Sequence, residues 1–207
     1  ARILCSDGDV YVAKGVQFTD RPWVVSDTAV ATFNDLVATQ LGRLIGAPVP
    51  DKSALIAIPA DFIAANHPAL RHLTPGIANG ARFIDGTSER SYQIKYLDDG
   101  DNRARFASLA IFFGWMGGHD RQFIYQETSP RLVYSVDHGD FFHGGRYWTP
   151  ERLDLAAEAK PYYKCMRHCA FAAQELIEAC EPLRSITAEH IADAIAREAT
   201  EIFRMLD

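Results

Sequence analysis

Little in this sequence points to a membrane, a nucleic acid or an oxidising compartment. No uninterrupted apolar run reaches the roughly 20 residues that a bilayer-spanning helix needs. The first residues also lack the charged-then-apolar pattern of an export signal. Basic residues are outnumbered, 21 against 27 acidic ones for a net charge of −6, and they are scattered along the chain. Without a basic stripe there is no electrostatic footprint for direct nucleic-acid binding. Cysteine is sparse: three of the four, Cys165, Cys169 and Cys180, fall in one helical pattern. Cys165 and Cys169 share a face with His168 beside them, but no second pair has zinc-ligand spacing, so they read as small buried hydrophobes. Internal repeats and low-complexity tracts are missing as well. The expectation is a cytoplasmic protein with no membrane contact.

What the chain has is apolar residues, 48% of the total with 11% aromatic, enough for one large domain or a two-lobed one with a real core. Residues Arg2 to Leu4 and Val10 to Lys14 read as strands around the acidic turn Ser6-Asp7-Gly8-Asp9. From Asp27 or Thr28 an apolar stripe through Leu36, Val37, Leu41 and Leu44 predicts a helix that Gly46 ends. Ala54 to Ile58 is a strand, Pro59 to Leu70 a short helix followed by a Pro- and Gly-bearing loop up to Gly80, and Ala81 to Ile84 a further strand. Gly86 to Gly100 is polar and the least legible span, a candidate crossing between lobes. Asn102 to Phe113 has helical spacing. Beyond it, Thr149 caps a helix opened by Pro150, Tyr163 to Cys180 reads as one longer helix, and Thr187 caps the last.

The stretch that organises the rest runs from Phe112 to Gly145. Two short β-type segments, Phe123 to Gln126 and Leu132 to Val136, flank Ser129-Pro130 like a hairpin. Asp120 precedes the first and Asp137 follows the second. Antiparallel strands return the chain to its start, so both acids should face one small volume. The bland alternative is a hairpin with capping carboxylates and a loop arginine.

Other blocks favour the sharper reading. Lys14 ends a strand whose Val12-Ala13-Lys14 is similar to the Val-Ala-Ile-Lys signature of kinases, and Asp35 lies on the next helix. Together Tyr11-Val12-Ala13-Lys14-Gly15, Phe33-Asn34-Asp35-Leu36-Val37-Ala38, Leu44-Ile45-Gly46-Ala47-Pro48-Val49-Pro50, Gly117 to Gln122 and Val136-Asp137-His138-Gly139 resemble the HipA-like kinases, over roughly Val10 to Leu153. The resemblance implies an α+β, bilobal protein-kinase-like fold: a β-rich nucleotide-binding lobe over residues 1–100 and a helical lobe over 101–207. It implies ATP-dependent phosphoryl transfer with Mg²⁺ to a protein Ser/Thr or a small hydroxyl compound. Lys14 would hold the α/β-phosphates and Asp35 would be its helix partner. Asp120 would be the base, Asp137 would bind Mg²⁺, and Arg121 would support the loop or neutralise phosphate.

The chain also departs from that pattern. The metal-binding Asn expected five residues after the base is Tyr125, and Gly118 stands where the family loop carries Asn. Asp35 replaces a Glu, and no Gly-x-Gly-x-x-Gly precedes Lys14. His138, Asp140 or Gln122 could substitute for the missing ligand. Two other functions stay open: a nucleotide-binding pseudokinase acting as a regulatory or partner-binding module, and a metal-dependent hydrolase using His119, Asp120, Asp137 and His138. The hydrolase lacks helical metal-ligand spacing.

Overall fold

A computed structural model describes residues 1–15, 25–65, 70, 73, 75–118, 120–157 and 164–206. The protein is α+β. Strands β1 (Arg2–Leu4), β2 (Val10–Gly15), β3 (Ser53–Ile58) and β4 (Gly76–Arg82) form one antiparallel sheet in the order β1-β2-β4-β3. Helix α1 (Val25–Leu44) follows β2, and α2 (Ala60–Ala65) follows β3. Helix α3 (Asn102–Met116) leads into the hairpin β5 (Phe123–Tyr125) and β6 (Val133–Ser135). Helices α4 (Pro150–Ala157), α5 (Ala173–Arg184) and α6 (Ala188–Leu206) follow, with 3₁₀ segments at Gly145–Tyr147 and Lys164–Cys169. No helix among the described residues is long and apolar enough to cross a membrane.

The period-2 alternation of a strand decides what each face of the sheet carries. In β2, Tyr11 and Ala13 are buried in a small core with Ile3, Ile56, Ile58 and Ala78. Val12 and Lys14 therefore point to the other face, opposite Ala81 and Asn79 of β4 in the strand register. Both pairs line the cleft described below. Gly80 is required on the packed face, because a Cβ there would run into Ile56 and come within 3.2 Å of Tyr11 Cβ.

The larger core gathers Val37, Leu41 and Ile45 of α1 with Phe106, Leu109, Phe112 and Phe113 of α3, together with Phe123, Tyr125, Val133 and Phe141. Each of the fully buried aromatic side chains contributes about 1.5–3 kcal/mol of burial free energy. Helix α3 is apolar nearly all round because it runs through this core. It ends at Gly117 in the left-handed conformation, φ 64°, with the Gly117 and Gly118 N–H groups both donating to Phe113 O.

Two sequence expectations shift. The strand expected at Ala81 to Ile84 is β4, which starts at Gly76 and ends at Arg82. Its Gly76-Ile77-Ala78-Asn79-Gly80 run has no apolar alternation, so pairing with strands on both sides, rather than propensity, makes it a strand. The single helix expected over Tyr163 to Cys180 is broken: a 3₁₀ segment, Lys164–Cys169, precedes α5, and Ala170 between them has φ 46°, which no α-helix tolerates. Glu175 then closes the start of α5 by accepting the Ala172 N–H at 2.7 Å. The ends at Thr149 and Thr187 form as expected, with Thr149 Oγ1 accepting from Arg152 N and Thr187 Oγ1 from His190 N. Cys169 is buried in the main core.

Candidate active site

Strand β2, helix α1 and the end of β6 converge on one carboxylate cluster. Lys14 Nζ forms an ion pair with Asp137 Oδ1 and lies 3.9 Å from Asp35 Oδ2. Asp35 is nearly buried and does more than attend the lysine. Its Oδ1 accepts the His138 N–H at 2.8 Å, and its Oδ2 accepts from Asn79 Nδ2. The helix acid thus ties the loop after β6, and β4, to α1. Asn34, the residue before it, is fully buried and reinforces the link: its Nδ2 donates to the carbonyls of Gly139, Phe141 and Gly145, and its Oδ1 accepts from Trp148 Nε1 at 2.9 Å.

The loop pays for this geometry with backbone strain. Asp137 has φ 65°, a conformation that costs a non-glycine residue about 1–3 kcal/mol unless its surroundings enforce it, though Asp tolerates it better than most. Gly139 passes so close to α1 that a Cβ would stand 3.1 Å from Ala31 O. His138 between them is wholly buried, with Nδ1 2.9 Å from Thr39 Oγ1, Nε2 3.0 Å from Ser135 Oγ, and the Phe112 and Phe141 rings against it. Burial pushes its pKa down to about 4, overcoming the opposite pull of Asp35. It is therefore a neutral structural post rather than a ligand. Burial also disfavours the charged form of Asp137, but the charge and hydrogen bond of Lys14, with help from Arg90, reverse the balance and hold the carboxyl below its usual range.

On the other side of the hairpin, Gln122 is nearly buried and joins the two acids. Its Nε2 donates to Asp120 Oδ2 at 2.6 Å, its Oε1 accepts from Arg90 Nη1 at 2.7 Å, and the same Arg90 nitrogen is 3.3 Å from Asp137 Oδ2. Val136 N also donates to Gln122 O at 2.9 Å. The hairpin thus brings Asp120 and Asp137 to one end, linked through Gln122 and Arg90.

These residues border a cleft of about 330 Å³ between the sheet and the hairpin. Lys14, Asp35, Asn79, Gln122 and Asp137 form its charged end. Val12 and Ala81 of the sheet, Ile124 and Val136 of the hairpin and Ile84 supply apolar lining, and Arg2, Arg82, Glu89 and Arg90 also border the cleft. Asp120 and Arg121 are not part of the cleft wall; Asp120 reaches it through Gln122. Both are partly exposed. Among the described residues, the buried Asn79 Oδ1 has no hydrogen-bond partner, and its residue lines the charged end.

The substitutes considered for the missing Asn separate cleanly. Tyr125 faces the core, its hydroxyl donating to Gln93 O at 2.7 Å and accepting from Lys95 N at 3.0 Å, with its pKa pushed up to about 12 by burial. His138 is locked by Thr39 and Ser135. Asp140 is engaged by Arg146 at 2.7 Å. Gln122 alone of these lines the cleft. His119, proposed for the hydrolase reading, lies outside the described residues. The acidic turn is also accounted for: Asp7 and Asp9 hold Lys52 at 2.7 and 2.9 Å, and Asp7 accepts from Tyr11 Oη.

Two contributors escaped sequence reasoning. Asn79 sits in a glycine-flanked strand without a pattern, and Arg90 in the polar span between β4 and α3. That span is pinned to β5 by Ser88 N to Tyr125 O at 2.7 Å and by reciprocal bonds between Ser91 and Phe123. No protein-family model, curated protein or solved structure matches the chain.

Proposed function

We propose that the protein is an ATP-dependent phosphotransferase of the HipA-like kind, with a bilobal, protein-kinase-like arrangement of a sheet-bearing lobe over a helical one. The observation that carries the reading is the meeting of Lys14, Asp35 and Asp137. They come from a strand, a helix and a post-hairpin loop far apart in sequence, yet converge at the charged end of an apolar-walled cleft. A nucleotide asks for that combination: apolar walls for a base and a fixed cation for phosphates.

The donors available suit Mg²⁺ in one particular way. Asp137 and the Gln122 amide oxygen are hard oxygen ligands, but among the described residues no group of three or more His, Cys, Asp or Glu is placed to hold a metal. That is too few for an all-protein cage and suits an ion shared with substrate phosphates, the usual mode for Mg²⁺. Bound there, Mg²⁺ would neutralise charge on the phosphate oxygens. Lys14 would exchange Asp137 for the nucleotide phosphates, while Asp35, braced by Asn79 and the His138 N–H, keeps the lysine within reach. Gln122 Nε2 leaves Asp120 one carboxylate oxygen to take the proton of an acceptor hydroxyl, on a protein Ser/Thr or a small molecule.

Calorimetric titration with ATP and Mg²⁺ tests the proposal. Wild type should bind, and Lys14→Ala should weaken the affinity at least about tenfold, a hydrogen bond between charged groups being worth about 1.5–3 kcal/mol. No binding by wild type at millimolar ATP would end the reading. A non-catalytic nucleotide-binding module is the second reading, favoured by the inward-facing Tyr125; phosphate transfer to any acceptor would exclude it.

A further inference from the structure

Arg90 occupies a position that the Lys14, Asp35 and Asp137 cluster does not explain. Its backbone is held between two anchor points on β5, at Ser88 and Ser91. Its side chain is half exposed on the cleft, and a single nitrogen, Nη1, reaches both Gln122 Oε1 and Asp137 Oδ2. No hydrogen bond joins its Nε or Nη2 to another described residue, the guanidinium lying 5.9 Å from the Tyr92 ring centroid, so most of the fork's donors remain available while the head bridges Gln122 and Asp137. Asp137 has a cation on each oxygen, Lys14 on Oδ1 and Arg90 on Oδ2. A divalent ion on that carboxylate competes with both: Lys14 turns to the nucleotide phosphates, and repulsion between the ion and the guanidinium weakens the hold of Arg90 on Oδ2. An anion that touches both removes the conflict. A guanidinium with free parallel donors matches phosphoryl oxygens in shape and charge.

We infer that Arg90 is a further residue of the site, one that leaves Asp137 when the cleft fills and contacts the transferred phosphoryl group. The inference rests on the phosphotransferase reading. In that step the acceptor hydroxyl oxygen forms a new bond to the terminal phosphorus and its proton passes to Asp120. The bond from that phosphorus to the bridging oxygen breaks, and ADP carries the electron pair away. Arg90 neutralises charge on the non-bridging oxygens during the exchange, so its contribution is larger there than in the bound nucleotide.

The test compares Mg²⁺·ADP with Mg²⁺·ADP plus aluminium fluoride, which mimics the phosphoryl group in flight, on wild type, Arg90→Ala and Arg90→Lys by calorimetry, with thermal melts as a folding control. In wild type, aluminium fluoride should tighten ADP binding at least about tenfold. Arg90→Ala should abolish that tightening while its Mg²⁺·ADP affinity stays within about threefold of wild type, and Arg90→Lys should recover part of it. The inference is overturned if wild type shows no tightening, if Arg90→Ala keeps it, or if Arg90→Ala loses affinity for ADP by the same factor as for the mimic, which marks a merely structural role. Failure of wild type to bind Mg²⁺·ADP at all defeats the phosphotransferase reading as well, whereas binding by wild type with an indifferent Arg90 defeats this inference alone.

Discussion

Acid should loosen this protein through His138. The imidazole is wholly buried against Phe112 and Phe141, its two nitrogens are engaged by Thr39 and Ser135, and the nearest acid oxygen, Asp35 Oδ1, is 3.5 Å from Nδ1. That carboxylate favours the proton on Nδ1, leaving Nε2 to accept from the Ser135 hydroxyl. A second proton would have to displace the Ser135 donor on a ring that is shut off from solvent. The folded pKa is accordingly about 4, against 6.5 for the free side chain. Above pH 6.5 the ring is neutral in both folded and unfolded chains, and its full contribution to stability is present. Between pH 6.5 and about 4 only the unfolded chain takes the proton, so stability is lost at about 1.4 kcal/mol per pH unit, some 3 kcal/mol in all. Lys14 and Asp137 also act on the ring, in opposite directions. Urea denaturation of wild type and His138→Gln at half-unit steps from pH 7.5 to 4.5 isolates the effect. The variant will be less stable throughout, but its slope should be shallower by one proton in that window, because the carboxylates titrate in both proteins. Parallel curves would mean that His138 protonates in the folded protein near its ordinary pKa, and the account of the buried post would be wrong.

The remaining predictions concern the two acids and the loop that carries them. In a radiolabelled-phosphate assay with binding measured alongside, Asp120→Asn should abolish transfer and leave Mg²⁺·ATP affinity within about threefold, since the base meets the acceptor hydroxyl, whereas Asp137→Asn should lose both; residual transfer equal to wild type in Asp120→Asn would remove Asp120 from the base role. Asn34→Ala strips the bonds to three loop carbonyls and to Trp148, and should cost about 3 kcal/mol in chemical denaturation, with a change in Trp148 fluorescence. Gly118→Ala drives a methyl into the Phe113 ring and to within 2.9 Å of Phe141 Cζ, which should cost at least about 1–3 kcal/mol in thermal or urea unfolding.

How much of this could be read in the sequence follows from where each signal originates. Lys14 was legible because it ends a strand in the sequence Val12-Ala13-Lys14, and Asp35 because it falls on the helix marked by the apolar stripe of α1. The hairpin that unites Asp120 and Asp137 was legible from its β-type segments and Ser129-Pro130 turn. Asn79 and Arg90 were not. β4 owes its existence to neighbours on both edges, not to its own residues, and Lys14 faces Asn79 only through a cross-strand register set by those neighbours. The Arg90 span is ordered by bonds to β5, more than 30 positions later, so no local pattern announces it. The same distinction explains why the count from Asp120 lands on a residue that cannot hold a metal. Residue spacing along a strand specifies a face, and Tyr125 shares its face with buried Phe123, so within this hairpin any polar substitute had to come from an even-numbered neighbour or from the residue before the strand. Ile124 supplies apolar wall. Gln122, just outside the strand and bonded to both Asp120 and Arg90, is where the chemistry can sit.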